Sequence, residues 1–393
     1  MRWIVAIGAG LAVLGVAVFI WATREPPSLT VASWGGAYTR AQAIALFRPF
    51  TEATGIEIRG ADYSGGTKQI ADQIAANEVA WNLVDMELPD ADAACRDGLL
   101  ERLDGASDGT ASPQASPPAG REGVSDAARV AKTLELHAGA DGASAAEDFV
   151  PGALGPCWVG TMVYSQIVAF HPARVAQPLP ERLADFFDLA RFPGKRGLKR
   201  TSPRFNLEMA LMADGVAPGE VYAALATQEG VARALAKLDA IKPEIAWWRT
   251  SAEPIAFLKR GEVAMTTALN GRLFDARLVE GLALRAIWDG QVYELDVFAI
   301  PKDAPDRART LEFLRFATAP APLAEQARWL SYGPARRSSV ALVTTHPEQN
   351  FAMRAHLPTA PENFATALLA DPAWWREHGA EIQARWDDWA SGE

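Results

Sequence analysis

The chain has 393 residues, 49% of them hydrophobic and 22% charged, which exceeds what one hydrophobic core usually supports and suggests two lobes. Its formal net charge is -10 with lysines and arginines scattered, so no basic stripe is offered to nucleic acid. Five histidines without metal-ligand spacing and the absence of a CxxC pair or a phosphate loop leave no metal site and no cofactor to expect.

In chain order, the first element is an uncharged run at residues 3–22, WIVAIGAGLAVLGVAVFIWA. About 20 apolar residues are enough to cross a bilayer as a helix. Residues 1–27 are therefore read as a signal-anchor or a cleaved signal peptide. The run is longer than a typical signal core and Ala22 ends a poor cleavage site, which favours the anchor. Both readings send the remainder of the chain across the membrane.

From Leu29, LTVASW predicts a strand, followed by a Gly-Gly turn and a helix with Ala43, Leu46, Phe47 and Phe50 on one face and Gly55 as its stop. IEIRGADYSGG, TKQIADQIAANE and WNLVDME continue as strand, helix and strand. This rhythm predicts an α/β fold with a mostly parallel sheet flanked by helices. Residues 105–146 break it with Ser, Ala, Gly, Pro and Asp, and read as a flexible insertion with a short helix near Val130 to Leu136. GASDG in that insertion matches a nucleophile elbow in letters only, since Ser107 has neither the strand before it nor the helix after it. Order returns in FVPGALGPCWVGTMVYSQIVAF, and the chain ends helical and Trp-rich, with the tryptophans spaced for packing.

Cys95 and Cys157 form an even pair, which in an exported protein points to a disulfide. Closing a loop of about 60 residues would contribute about 4 kcal/mol in the chain-entropy model. Two buried free thiols are the alternative.

Two glycine turns, SWGGAY at 33–38 and YSGG at 63–66, fall where strands meet helices. In open α/β sheets that is where ligands approach. Trp34, Gly35 and Tyr38 are candidates there: an aromatic face, a backbone free to approach a ligand, and a second ring. The stretch VYELDVFAIPKDAPD, 292–306, sets Glu294 and Asp296 in an apolar strand. An unpaired buried charge costs several kcal/mol. Either one face of the strand meets water, or Asp296 faces a cleft and receives a cation.

The order LTVASWGGAYTRAQ, PFTEATGIEI, GLLERLD, LADFFDLARFPGKRGL, WW, GEVAMTTALNGR, YELDVFAIPKDAPD and SYGPARRSSV resembles the solute-binding proteins of ABC importers, nearest the polyamine (spermidine/putrescine) type. The likeness runs from about residue 28 to 390 outside the insertion. It implies a type II periplasmic binding protein: two α/β lobes, 28–158 with 270–318 and 159–269 with 319–393, joined by crossing strands and closing on a ligand. It implies that Asp296 holds a ligand ammonium, that Trp34 and Trp248 offer aromatic faces, and that Asn270 belongs to a Trp-Asn-Gly motif. Leu269 replaces the Trp of that motif, Arg272 stands where some polyamine binders have an acid, and KRTSPRFN, 199–206, offers Arg204 in place of acids. Arginine forks suit carboxylates and phosphates. With Glu87 beside Asp296, a ligand bearing both an ammonium and an acid group, such as an opine-like or amino-acid-like compound, is the reading beside a true polyamine. Tyr293 either stacks on that ligand or fills the core, and Arg272 either faces the ligand or pairs with Asp275 or Glu280.

The implied function is capture of a small amine-bearing solute for an inner-membrane ABC permease, by a monomer. The alternatives are a membrane-anchored sensing domain and an enzyme on the same architecture. No Ser-His-Asp set stands behind the enzyme.

Overall fold

The computed structural model describes residues 26–106, 125–278 and 280–391. The apolar run 3–22 and Ser107 lie outside them. Among the described residues no helix is long and apolar enough to cross a membrane.

One sheet organises the chain, in the order β2 (Glu57–Asp62), β1 (Ser28–Ser33), β3 (Leu83–Glu87), β9 (Arg285–Ala299), β5 (Trp158–Phe170), β8 (Met265–Leu269), β6 (Arg196–Lys199) and β7 (Ile245–Trp248), with the two-residue β4 (Leu154–Gly155) against β5. Strands β1, β2 and β3 are mutually parallel, as are β6, β7 and β8. Between these parallel triplets run two long antiparallel strands, β5 and β9. The expected strand–helix alternation holds, and the sheet is mixed because β3 also meets β9 antiparallel.

Each triplet has its own core. Leu29, Val31, Phe50, Leu83, Val84 and Phe313 pack in one, and Phe170, Phe192, Leu211, Leu238 and Trp386 in the other. The C-terminal tryptophans do pack: Trp386 lies 5.8 Å from Trp247 and 5.0 Å from Trp389, ring centre to ring centre. They close the second core beneath the final helix, Pro372–Ser391.

Two backbone bends set side chains at the strand ends. The helix Gly36–Gln42 starts after Gly35, whose φ of +75° is a left-handed conformation open to glycine at little cost. It runs through a wide π turn, Ala43–Phe47, into Arg48–Thr54 and stops at Gly55, φ +74°. Beyond β6, Phe205 holds φ +72°, costly for a residue with a side chain, immediately before the helix Asn206–Ala213. Asn206 ties that bend down by donating to the carbonyls of Lys199 and Ser202 at 2.9 and 3.0 Å.

Cys95 and Cys157 are disulfide-bonded, with Cα atoms 5.8 Å apart, so the free-thiol alternative does not hold. Residues 107–124 of the expected flexible insertion lie outside the described residues. From Ser125 onward it is folded, with a helix at Asp126–Thr133 that buries Val130, while Leu134 just beyond is buried too. Their i,i+4 spacing puts both side chains on one face, toward the first core.

Candidate functional site

Side chains on a strand alternate between faces, and directly paired residues of neighbouring strands share one. Glu87 of β3 pairs with Asp296 of β9, and Tyr164 of β5 pairs with Glu294 of β9. Asp85 lies two residues before Glu87, and Glu294 two before Asp296. Four carboxylates, Asp85, Glu87, Glu294 and Asp296, therefore stand on one face of the central strands. Asp85, Glu294 and Asp296 are buried at 0%, 6% and 3% exposure, which removes the reading of Asp296 as a solvent-face acid.

Around them the structure brings polar groups from distant parts of the chain. Tyr38 donates its hydroxyl to Asp85 Oδ2 at 3.1 Å. Buried Gln42 donates its amide to the same oxygen and accepts from Ser33 at 2.6 Å. Tyr164 donates to Glu294 Oε2 at 2.5 Å, and its ring lies 5.7 Å from Tyr332, which in turn lies 5.8 Å from Tyr38. Arg204 makes an ion pair with Glu294, its side chain aimed inward from the strained bend at Phe205. Behind it, buried Glu208 accepts from Tyr222 at 3.1 Å and from Trp375 Nε1 at 2.7 Å.

The electrostatics reflect burial and crowding. Burial, reinforced by Asp85 and Glu87, holds the Asp296 carboxyl well above the usual range. Burial pushes Asp85 up to about 8 against the hydrogen bonds from Tyr38 and Gln42. Burial and then Glu294 raise Glu87. Burial lowers Lys199, whose ammonium feels Glu294 and Arg204. Four acids thus crowd beside two cations, and the crowding is relieved by protons held on Asp85 and Asp296. Among the described residues, Asp85 Oδ1, Arg204 Nε, Trp34 Nε1 and Trp248 Nε1 are buried without a hydrogen-bond partner.

The residues predicted from the sequence distribute unevenly. Tyr38, Glu87, Arg204 and Asp296 converge on the cluster. Trp248 is at its edge, paired in register with Lys199, whose ammonium lies 5.9 Å from the indole. Trp34 stands at the end of β1 against Tyr63, 4.9 Å between rings, next to the Gly35 turn. Asn270 is buried and spends its amide on backbone, accepting from Ser165 N at 2.9 Å and donating to Ser331 O at 2.8 Å, so it pins β5 to the segment before Tyr332.

Two residues lie elsewhere. Tyr293 points to the opposite face, into the first core, where its hydroxyl donates to Pro151 O at 3.2 Å and its ring meets Phe364. Of its two readings the core is the one observed. Arg272 is exposed on the helix Asn270–Leu278, with its charge felt by Asp275 and Tyr332. Glu280 pairs with Lys259 instead. Sequence reasoning misses Asp85, Tyr164, Tyr332 and Gln42. The alternation in NLVDME signals Asp85, while the tyrosines carry no local signal.

A family model described as bacterial extracellular solute-binding protein matches residues 45–359. The γ-aminobutyric acid-binding protein of Pseudomonas aeruginosa is 34% identical over 381 residues, covering 97% of this chain and 96% of that protein. The solved Atu4243 γ-aminobutyrate receptor is similar at 26% identity and a TM-score of 0.67, over 93% of this chain and 98% of its own. MotA of Agrobacterium tumefaciens B6, solved with glucopine, is similar at 25% identity and a TM-score of 0.63, over 92% of this chain and 99% of its own. The spermidine/putrescine protein PotD of Streptococcus pneumoniae shares the fold at a TM-score of 0.65 but only 14% identity. The expected polyamine branch thus receives support at the level of fold alone.

Proposed function

The chain belongs to the bacterial extracellular solute-binding proteins, and we propose that the solute it captures is a small zwitterion, of γ-aminobutyrate or opine type, rather than a polyamine. As a member of that family it is the solute-binding component of an ABC importer, which works outside the cytoplasmic membrane and hands its solute to a permease.

One observation carries the choice of solute: four carboxylates on a single sheet face, closed at one end by Arg204 and Lys199. A primary ammonium set beside Asp296, Asp85 and Glu87 restores the charge that burial and crowding otherwise suppress. The solute's own carboxylate then competes with Glu294 for the Arg204 fork, which suits a planar two-oxygen partner. Tyr38, Tyr164 and Tyr332 line the space between with rings and hydroxyls. A diamine would leave its second ammonium facing Arg204 and Lys199, an arrangement that costs rather than contributes. Closure of the lobes anticipated from the sequence would bring the Arg204 bend and the β3–β9 acids onto opposite ends of the solute. Residues 3–22 enter the same reading as export signal or anchor, which carbonate washing of membranes distinguishes.

Calorimetric titration of the protein with γ-aminobutyrate and with putrescine tests the reading. The expected result is γ-aminobutyrate binding at least about 100-fold tighter, close to 2.7 kcal/mol, with Arg204→Gln erasing most of that preference. Tight putrescine binding with none for the amino acid overturns it.

A further inference from the structure

A cavity of about 330 Å³ lies where the helix Asn270–Leu278 meets the start of β9, lined among others by Phe274, Arg277, Arg285, Trp288 and His356. It is separate from the carboxylate cluster. Arg285 and Glu294 are nine residues apart on β9, on the order of 30 Å along a strand.

Its charge is unbalanced in the opposite sense. Arg277 and Arg285 both line it, and among the described residues no acidic one does. Neither arginine has an ion pair among the described residues, whereas Arg40, Arg59 and Arg354 each meet a carboxylate. Burial, and then the charge of Arg285, lower the pKa of Arg277, so the two guanidiniums repel each other across the opening. His356 adds no acid. Its Nδ1 lies 3.2 Å from Arg277 Nη1, and burial together with Arg277 pushes it down to about 4, so the ring is neutral at pH 7. With Nδ1 accepting from Arg277, the proton of the neutral ring sits on Nε2, which is then a further donor.

The walls are rigid elements. Arg285 begins β9, Arg277 sits on the helix Asn270–Leu278, and His356 ends a short turn wedged 5.4 Å from both Phe274 and Phe351, ring centre to ring centre. Phe274 and the half-buried Trp288 supply an apolar, aromatic side. Two like charges held on a rigid frame over an aromatic wall form a receptor for an oxyanion, because a carboxylate or phosphate removes the repulsion and accepts several charge-assisted hydrogen bonds. The volume is at the lower end of what small-ligand pockets provide.

We propose that this cavity is a second binding site, for a small organic carboxylate or phosphate held by Arg277 and Arg285 with its apolar part against Trp288 and Phe274. It is independent of the zwitterion-binding cluster, since it shares none of the carboxylates or Arg204.

Calorimetry on the full chain at low ionic strength, with inorganic phosphate, benzoate and succinate as separate probes, tests the site. At least one anion is expected to bind saturably with Kd below about 1 mM, about 4 kcal/mol or more. Arg285→Gln, a change at an exposed side chain, is expected to weaken it at least tenfold, as is Arg277→Gln. Phosphate binding best assigns the site to a phosphoryl group, and benzoate binding best assigns it to a carboxylate with an apolar body. If every probe binds more weakly than about 10 mM, or if Arg285→Gln leaves the affinity unchanged because the anion sits elsewhere, the proposal fails.

Discussion

Among the described residues, two arginine–carboxylate pairs have opposite character, one buried on both sides and one with a half-buried arginine. Arg336 meets Asp148 at 2.6 Å, both side chains only 1% exposed. The remaining guanidinium nitrogens donate to the carbonyls of Thr318 at 3.0 Å and His137 at 2.5 Å, and Asp148 accepts from Ser338 N and Oγ at 2.7 and 2.9 Å. Every polar atom of this pair has a partner. Arg204 and Glu294 are paired as well, but Arg204 Nε has no hydrogen-bond partner and Glu294 shares its face with three other acids. A fully partnered buried pair is scaffold, because any exchange of partners loses hydrogen bonds. A partly partnered pair among crowded acids is exchangeable, and a guest carrying both signs can take both halves.

The sharpest way to separate the two is to delete one acid from each. Asp148→Ala strands Arg336 in the core and is expected to cost about 3–5 kcal/mol, a large share of a typical total of about 5–15. Glu294→Gln keeps a hydrogen-bonding group beside Tyr164 and is expected to cost under about 1 kcal/mol while leaving Arg204 readier for a solute carboxylate. Urea denaturation of the two variants measures this contrast, and equal losses would dissolve it.

Asp296→Asn comes next in size. With the ammonium partner gone, γ-aminobutyrate affinity is expected to fall about 100-fold, roughly 2.7 kcal/mol, with stability unchanged or raised. The raised carboxyls also set a pH dependence. Asp85, pushed up to about 8, and Asp296 hold protons in the folded empty protein that the unfolded chain releases near pH 4. Their contribution to stability is complete below about pH 4 and drains away as pH climbs toward about 8. Melting temperature of the empty protein should therefore fall across that window, and Asp85→Asn should flatten the slope by about one proton. An ammonium guest favours the ionised carboxyls, so binding should release protons at pH 7. Titration in buffers of different ionisation enthalpy reads that release directly, and a heat independent of buffer would remove the link.

Much of this is legible in the sequence, for reasons that also explain the gaps. The helix stop at Gly55, the strands LTVASW and WNLVDME and the acid at Asp296 all depend on spacing within a few residues. Period-two alternation through YELDV is enough to put Tyr293 on the face opposite Glu294, and its core position needs nothing more. Tyr164, Tyr332 and Gln42 cannot be read that way. They reach the carboxylates through the antiparallel pairing of β5 with β9 and the packing of the first helix, contacts between residues 42 and 85 or 164 and 294 that no local pattern encodes. Arg336 falls within SYGPARRSSV, but its partners, Asp148 and the carbonyls of His137 and Thr318, lie elsewhere in the chain.

Arg272 provides the smallest expected effect and a lesson in helical geometry. Its place two residues after Asn270 suggests the pocket. Yet a helix turns about 100° per residue, so a side chain two positions on faces nearly the opposite way. Asn270 points inward to Ser165 and Ser331, and Arg272 is accordingly exposed, where salt screens its charge. Arg272→Ala should change γ-aminobutyrate affinity by less than about threefold, under about 1 kcal/mol, and the difference should vanish in about 0.5 M salt. A salt-insensitive tenfold loss would mean that this guanidinium reaches the solute once the lobes shut. Arg204 would then no longer be the sole arginine acting on the solute carboxylate, and the division between scaffold and exchangeable pairs would need a third member.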